Sequence, residues 1–169
     1  HGVVMGSFSK TVTPGFRMGY LLTKDHDLLR NISTAKEAAD LHTNVFAQYV
    51  IHDYLMHNEL DEHLTKIREL YRSQARAMVD AMKEFFPYGV EFTIPEGGMF
   101  LWVTLPEGIF AMDLFDKALE QNVAFVPGDP FYAEGGKRST LRLNFTNADE
   151  ETIRSGIKRL AEVIEAELA

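Results

Sequence analysis

Hydrophobic and polar positions change their period several times along the chain, and each change marks an element. Residues 3–8 and 18–23 are short apolar runs separated by the turn signal Thr13-Pro14-Gly15, which predicts two strands joined by a loop. Over 27–37 Leu28, Leu29 and Ile32 share one helical face, and 45–56 is a second helical stretch with aromatic and aliphatic positions interleaved. The longest predicted helix covers 61–86, where Leu64, Ile67, Tyr71, Ala75, Met78, Met82 and Phe85 recur at helical spacing. Pro87 ends it, because proline cannot continue the hydrogen-bond ladder.

Beyond Pro87 the period shortens. Residues 90–94 alternate as a half-buried strand does, 99–105 form a second strand, and Pro95-Glu96-Gly97-Gly98 between them reads as a turn or bulge. A helix over 111–121 follows, then short strands at 124–126 and 140–145. Asn147 with Glu150 three residues later resembles a capping box, and residues 149–151 suit a helix start. Ile153, Ile157, Leu160, Ile164 and Leu168 then form one apolar stripe. From residue 88 the order β-β-α-β-β-α predicts an α+β layer of sheet against helices.

Composition narrows the function classes. The 169 residues are 46% hydrophobic and 25% charged, enough for a sizeable core without staples. Cysteine is absent, which removes disulfides and thiolate metal sites and is compatible with a reducing cytoplasm. A net charge of −8 argues against nucleic acid as a partner, since that binding rests on basic residues neutralising phosphates. No apolar run approaches the roughly 20 residues that span a bilayer, so no membrane partner is expected. His52, His57 and His63 lie at spacings that do not put two ligands on one helical face, and no metal is expected. The opening His1-Gly2-Val3-Val4-Met5-Gly6 lacks an initiator methionine and reads as the middle of a strand, so a fragment of a longer protein is expected.

The chemically loaded segment is Ser7-Phe8-Ser9-Lys10 followed by Thr13-Pro14-Gly15-Phe16-Arg17-Met18-Gly19-Tyr20. It sets a lysine at the end of what reads as a buried strand, two hydroxyls just before it, and an arginine seven residues on, past a Pro-Gly turn that can fold it back. A primary amine beside phosphate-type donors suits an aldehyde cofactor that carries a phosphate. Arginine suits that phosphate because its planar fork gives paired charge-assisted hydrogen bonds. Taken alone, Lys10 after a strand is a solvated end residue. Arg142, inside an apolar strand, needs a partner for its charge, and a structural salt bridge is the plain alternative to a binding role.

The segment resembles the cofactor-lysine signature of the fold-type I, class I/II aminotransferases that depend on pyridoxal phosphate, especially the group with 2-aminoadipate and kynurenine aminotransferases. The resemblance continues through Pro95-Glu96-Gly97-Gly98-Met99-Phe100-Leu101-Trp102, Val126-Pro127-Gly128-Asp129-Pro130-Phe131 and Thr140-Leu141-Arg142-Leu143-Asn144-Phe145, in the family's order across nearly the whole chain. It implies that Lys10 holds pyridoxal phosphate covalently and moves the α-proton. It further implies that Ser7 and Arg17, with Ser9 beside them, bind the cofactor phosphate, and that Arg142 clamps the substrate α-carboxylate. Gly97 and Gly98 are read as turn residues, and Phe131 and Tyr132 as packing residues.

The same resemblance implies an organisation. Residues 1–25 would be a remnant of the large cofactor-binding domain, 26–87 connecting helices, and 88–169 the C-terminal small domain. The family's phosphate-cradling loop, the aromatic ring on the pyridine and the aspartate at its nitrogen all precede the lysine in sequence, so Asp25 and Asp27 cannot replace that aspartate. The parent is expected to be a homodimer that transfers an amino group between an amino acid and a 2-oxo acid such as 2-oxoglutarate. The chain alone is expected neither to retain the cofactor nor to turn over. Two alternatives stay open: an aminotransferase-like effector domain of a winged-helix transcription regulator, and another fold-type I reaction such as β-elimination.

Overall fold

The computed structural model describes residues 2–136 and 138–168. The chain divides into two compact units, His1–Thr65 and Lys66–Ala169, with the division falling inside its longest helix.

The first unit begins with β1 (Val3–Ser7) and β2 (Gly19–Thr23), paired antiparallel with Val3 opposite Thr23 and Ser7 opposite Gly19. Two helices follow, α1 (His26–Asp40) and α2 (Val45–His57). Each starts where a short polar side chain takes up an orphan N–H. Asp25 accepts from the Leu28 amide at 2.9 Å and Asn44 from the Ala47 amide at 3.1 Å. Burial is sparse: among the described residues of this unit only Ala47 and Ile51 are buried hydrophobics, and Met5 of β1 is 77% exposed. The strand leading to Lys10, expected to be buried, is largely exposed, and among the described residues of this unit β2 is its one strand partner.

The longest helix, α3 (Leu60–Phe85), starts in the first unit and runs through the division. In the second unit it is followed by β3 (Glu91–Phe92), β4 (Phe100–Thr104), α4 (Ala111–Glu120), β5 (Val126–Pro127), a 3-10 turn over Asp129–Phe131, β6 (Thr140–Asn144) and α5 (Glu150–Leu168). The sheet order is β3-β4-β6-β5, antiparallel throughout. Alternation gives it two faces. Leu101 and Val103 of β4 and Leu141 and Leu143 of β6 point into one core with Met78 and Met82 of α3, Leu114 of α4 and Leu160 and Ile164 of α5. All helices of this unit contribute to that core. Phe100, Trp102, Thr140 and Arg142 fall on the other sheet face, where residues are exposed or half-buried.

Three expectations shift in detail. The strand predicted over 90–94 is only Glu91–Phe92: Thr93 N still donates to Trp102 O at 2.9 Å, but the Thr93 hydroxyl accepts from the Trp102 amide at 3.0 Å, so a side chain replaces half of the next rung of the ladder. The strand predicted over 124–126 is Val126–Pro127, with Val126 opposite Arg142. The last helix is capped by Asp149 rather than by the Asn147–Glu150 pair. The Asp149 carboxylate accepts from the Thr152 amide at 2.8 Å, and the Asp149 carbonyl takes the Ile153 amide at 2.9 Å. Hydrogen bonds from Thr152, side chain first and backbone second, hold the Asp149 carboxyl below its ordinary range. Gln74, the one buried polar residue of the described core, donates to the Ala148 carbonyl at 2.7 Å and ties α3 to the approach of α5.

Candidate active site

The loop between β1 and β2 is built around one carbonyl. Phe8 O accepts from the amides of Thr11, Val12 and Thr13 at 3.3, 2.8 and 3.0 Å, and Phe8 N donates to Met18 O at 3.0 Å. The chain thus turns tightly through Lys10 and returns alongside β1. Tyr20 packs its ring 5.5 Å from that of Phe8. It can do so because its cross-strand neighbour is Gly6, where an added Cβ would fall 2.2 Å from the Tyr20 ring.

This loop brings together four of the five residues singled out by sequence. Ser9 N donates to Ser7 Oγ at 3.2 Å, and Arg17 Nη1 donates to Ser9 Oγ at 3.4 Å and to Pro14 O at 3.3 Å. These guanidinium contacts are long for charge-assisted hydrogen bonds, which run near 2.7–2.9 Å. Among the described residues no carboxylate pairs with Arg17 or Lys10, and both are exposed. Arg17 also has φ 55°, a left-handed conformation that L residues other than glycine adopt at a cost. Hydrogen bonds thus link Ser7, Ser9 and Arg17 on the turn that carries Lys10.

The fifth residue, Arg142, lies in the second unit on the open face of the sheet. Its strand is central, with Trp102 of β4 directly opposite on one side and Val126 of β5 on the other. The guanidinium carbon sits 4.1 Å from the Phe100 ring centroid and 4.7 Å from that of Phe131. No ion pair to Arg142 occurs among the described residues, so the structural salt bridge is absent there, and its buried Nε has no hydrogen-bond partner. Sequence reasoning missed Phe100 and treated Phe131 as packing. The signal available was the period-two alternation, which puts Phe100 on the same sheet face as Arg142. A separate cavity of about 520 Å³ lies between α3 and residues 94–98 and contains none of the predicted site residues.

Among the described residues no three histidine, aspartate or glutamate side chains converge as a metal site would require. None of their helices is long and apolar enough to cross a membrane.

Comparison with known proteins identifies the class to which the chain belongs. Residues 1–160 match the family model for aminotransferase class I and II, and the chain belongs to that family. It is 46% identical over 166 residues to aromatic-amino-acid aminotransferase 1 of Thermococcus litoralis, which covers 98% of this chain and 40% of that protein. The crystal structure of kynurenine aminotransferase from Pyrococcus horikoshii superposes with a TM-score of 0.92 at 46% identity, covering 99% of this chain and 41% of that one. The α-aminoadipate aminotransferase LysN of Thermus thermophilus, solved with N-(5'-phosphopyridoxyl)-L-leucine, gives a TM-score of 0.91 at 42% identity, covering 98% of this chain and 42% of that one. The chain therefore spans about two fifths of the length of the proteins it matches. Pyridoxal phosphate is the cofactor of this family, and the α+β fold is that of its aminotransferases. The chemistry of the Ser7–Arg17 loop fits that group on its phosphate side, because the Arg17 guanidinium lacks an anionic partner among the described residues and the Ser9 hydroxyl lies beside it.

Proposed function

We propose that the protein carrying this chain transfers amino groups between an amino acid and a 2-oxo acid, with 2-oxoglutarate as the acceptor we expect. The observation that carries the reading is the Ser7–Ser9–Lys10–Arg17 loop, an exposed amine one residue from a hydroxyl that accepts from the Arg17 guanidinium, which has no anionic partner among the described residues. In this reading residues 1–25 belong to the large cofactor-binding domain, 26–87 connect, and 88–169 form the small domain. The working form is a homodimer.

When bound, pyridoxal phosphate supplies an electron-withdrawing ring that accepts the electron pair left at the substrate α-carbon. The chain's own residues would contribute as follows. Lys10 Nζ would hold the cofactor and, when free of it, could carry a proton to and from the α-carbon. Ser7 Oγ, Ser9 Oγ and the Arg17 guanidinium would hold the phosphate by charge-assisted hydrogen bonds. Arg142 orients the α-carboxylate through its paired N–H groups.

The relatives at 46% and 42% identity are named as aminotransferases, which supports the enzyme over a regulator's effector domain. The test is amino-group exchange by the full-length protein. An amino-acid panel with 2-oxoglutarate is followed by chromatography for new glutamate. Glutamate formation that is lost in Lys10→Ala supports the reading. No exchange with any donor, or release of ammonia without glutamate, overturns it in favour of a sensor or an eliminating enzyme.

A further inference from the structure

The surroundings of Arg142 carry an inference beyond its role as a carboxylate clamp, while resting on that role. The guanidinium is flanked by two rings, Phe100 at 4.1 Å and Phe131 at 4.7 Å from its carbon. These rings come from different places in the chain. Phe100 opens β4 opposite Asn144, diagonal to Arg142 across the strand pair, and Phe131 ends the 3-10 turn after β5. Phe131 is 49% exposed, yet it is braced, because the Trp102 indole stands edge-on to it at 5.4 Å and 83°. Trp102 is in turn the direct cross-strand partner of Arg142. The turn bearing Phe131 is anchored on the same strand, since Gly128 N donates to Thr140 O at 2.7 Å.

Rings whose faces lie against a guanidinium attract it through their electron-rich faces and limit the orientations it can take. Nε, on one edge of the guanidinium plane, is buried and has no acceptor. A cation so held has given up part of its hydration without gaining an anion among the described residues, and its paired N–H groups are left for a ligand. Those groups match the two coplanar oxygens of a carboxylate.

We infer that Phe100 and Phe131 are positioning residues for Arg142. The two rings fix the guanidinium plane so that it receives a substrate carboxylate edge-on, and Trp102 fixes Phe131. They act through Arg142 rather than by touching the ligand's side chain. Their loss weakens recognition of the carboxylate specifically, by about threefold to thirtyfold per ring from the usual worth of a cation over an aromatic face. Replacement by another aromatic ring restores it.

The experiment uses the full-length holoprotein and 3-phenylpropionate as the carboxylate probe, with 3-phenyl-1-propanol as its carboxylate-free counterpart, both measured by direct binding calorimetry. The variants are Phe131→Leu, Phe131→Tyr, Phe100→Leu and Arg142→Lys, with Phe131→Leu also made in the Arg142→Lys background. The expected result is weaker 3-phenylpropionate binding in Phe131→Leu and Phe100→Leu with alcohol binding and Tm unchanged, near-recovery in Phe131→Tyr, and a much smaller effect of Phe131→Leu once Arg142 is lysine. An equal loss in both backgrounds overturns the inference, because Phe131 would then contact the ligand directly. Equal losses for acid and alcohol overturn it as well. If Arg142→Lys itself leaves 3-phenylpropionate binding intact, the clamp reading falls. If Arg142→Lys weakens binding while both leucine variants do not, the clamp stands and the ring device alone is refuted.

Discussion

Replacing Gly128 by alanine probes how the sheet holds the turn that carries Phe131. A Cβ at this position would lie 2.0 Å from Thr140 Oγ1, 3.0 Å from Thr140 Cβ and 2.7 Å from the Thr140 carbonyl oxygen. The hydroxyl can rotate away, but the carbonyl cannot. It belongs to β6, which pairs with β4 on one side and β5 on the other, and it already accepts from Gly128 N. The variant must therefore move the turn off the strand, lengthening or losing that hydrogen bond. Overpacking costs about 1–3 kcal/mol and the lost bond about 1 kcal/mol, so a total near 2–4 kcal/mol is expected. At roughly 3 °C per kcal/mol for a chain of this size, Tm falls by about 6–12 °C. Thermal unfolding followed by circular dichroism checks it. Thr140→Ala in the same background removes only the side-chain part of the clash and should recover a minor share of the loss. A Gly128→Ala variant within about 1 °C of the parent, or full rescue by Thr140→Ala, would refute the backbone argument.

Other consequences are as specific. Arg17→Gly relieves the left-handed backbone at φ 55° and should raise stability by about 1 kcal/mol in urea unfolding, while abolishing tight cofactor binding in the full-length protein. Asp149 has its folded pKa lowered by Thr152, so its cap stabilises α5 above the carboxyl's unfolded pKa and is lost as pH falls through the folded one. Asp149→Asn should flatten the acid side of the pH–stability profile, measured by urea midpoints between neutral and acid pH. The chain alone, mixed with pyridoxal phosphate and reduced with borohydride, should show only substoichiometric labelling, since Lys10 lies on an exposed loop; labelling near one per chain would contradict this.

The pattern of apolar positions was enough to find the five α-helices of the described residues, because most carry an apolar stripe and Pro87 marks the end of α3; the caps at Asp25 and Asn44 emerge only in the structure. It was weaker at the short edge strands. Nothing in the alternation of 90–94 shows that the Thr93 hydroxyl will intercept the Trp102 amide, since that depends on a partner strand. The α5 cap was misplaced by two residues because Asn147 and Asp149 are both competent caps, and tertiary placement chooses between them. The lysine loop was legible because its residues are close in sequence. The setting of Arg142 was not, because Phe100, Phe131 and Arg142 meet only once β4, β6 and the 3-10 turn are assembled.

Lys10 is proposed as the residue that holds pyridoxal phosphate in this member of the aminotransferase class I and II family. The most direct measurement is borohydride reduction of the full-length holoprotein, followed by proteolysis and mass spectrometry of the peptide spanning residues 1–17. The account predicts one phosphopyridoxyl mass per chain on Lys10, absent in Lys10→Ala. Stoichiometric label on any other lysine, or none on a protein that still exchanges amino groups, would contradict it.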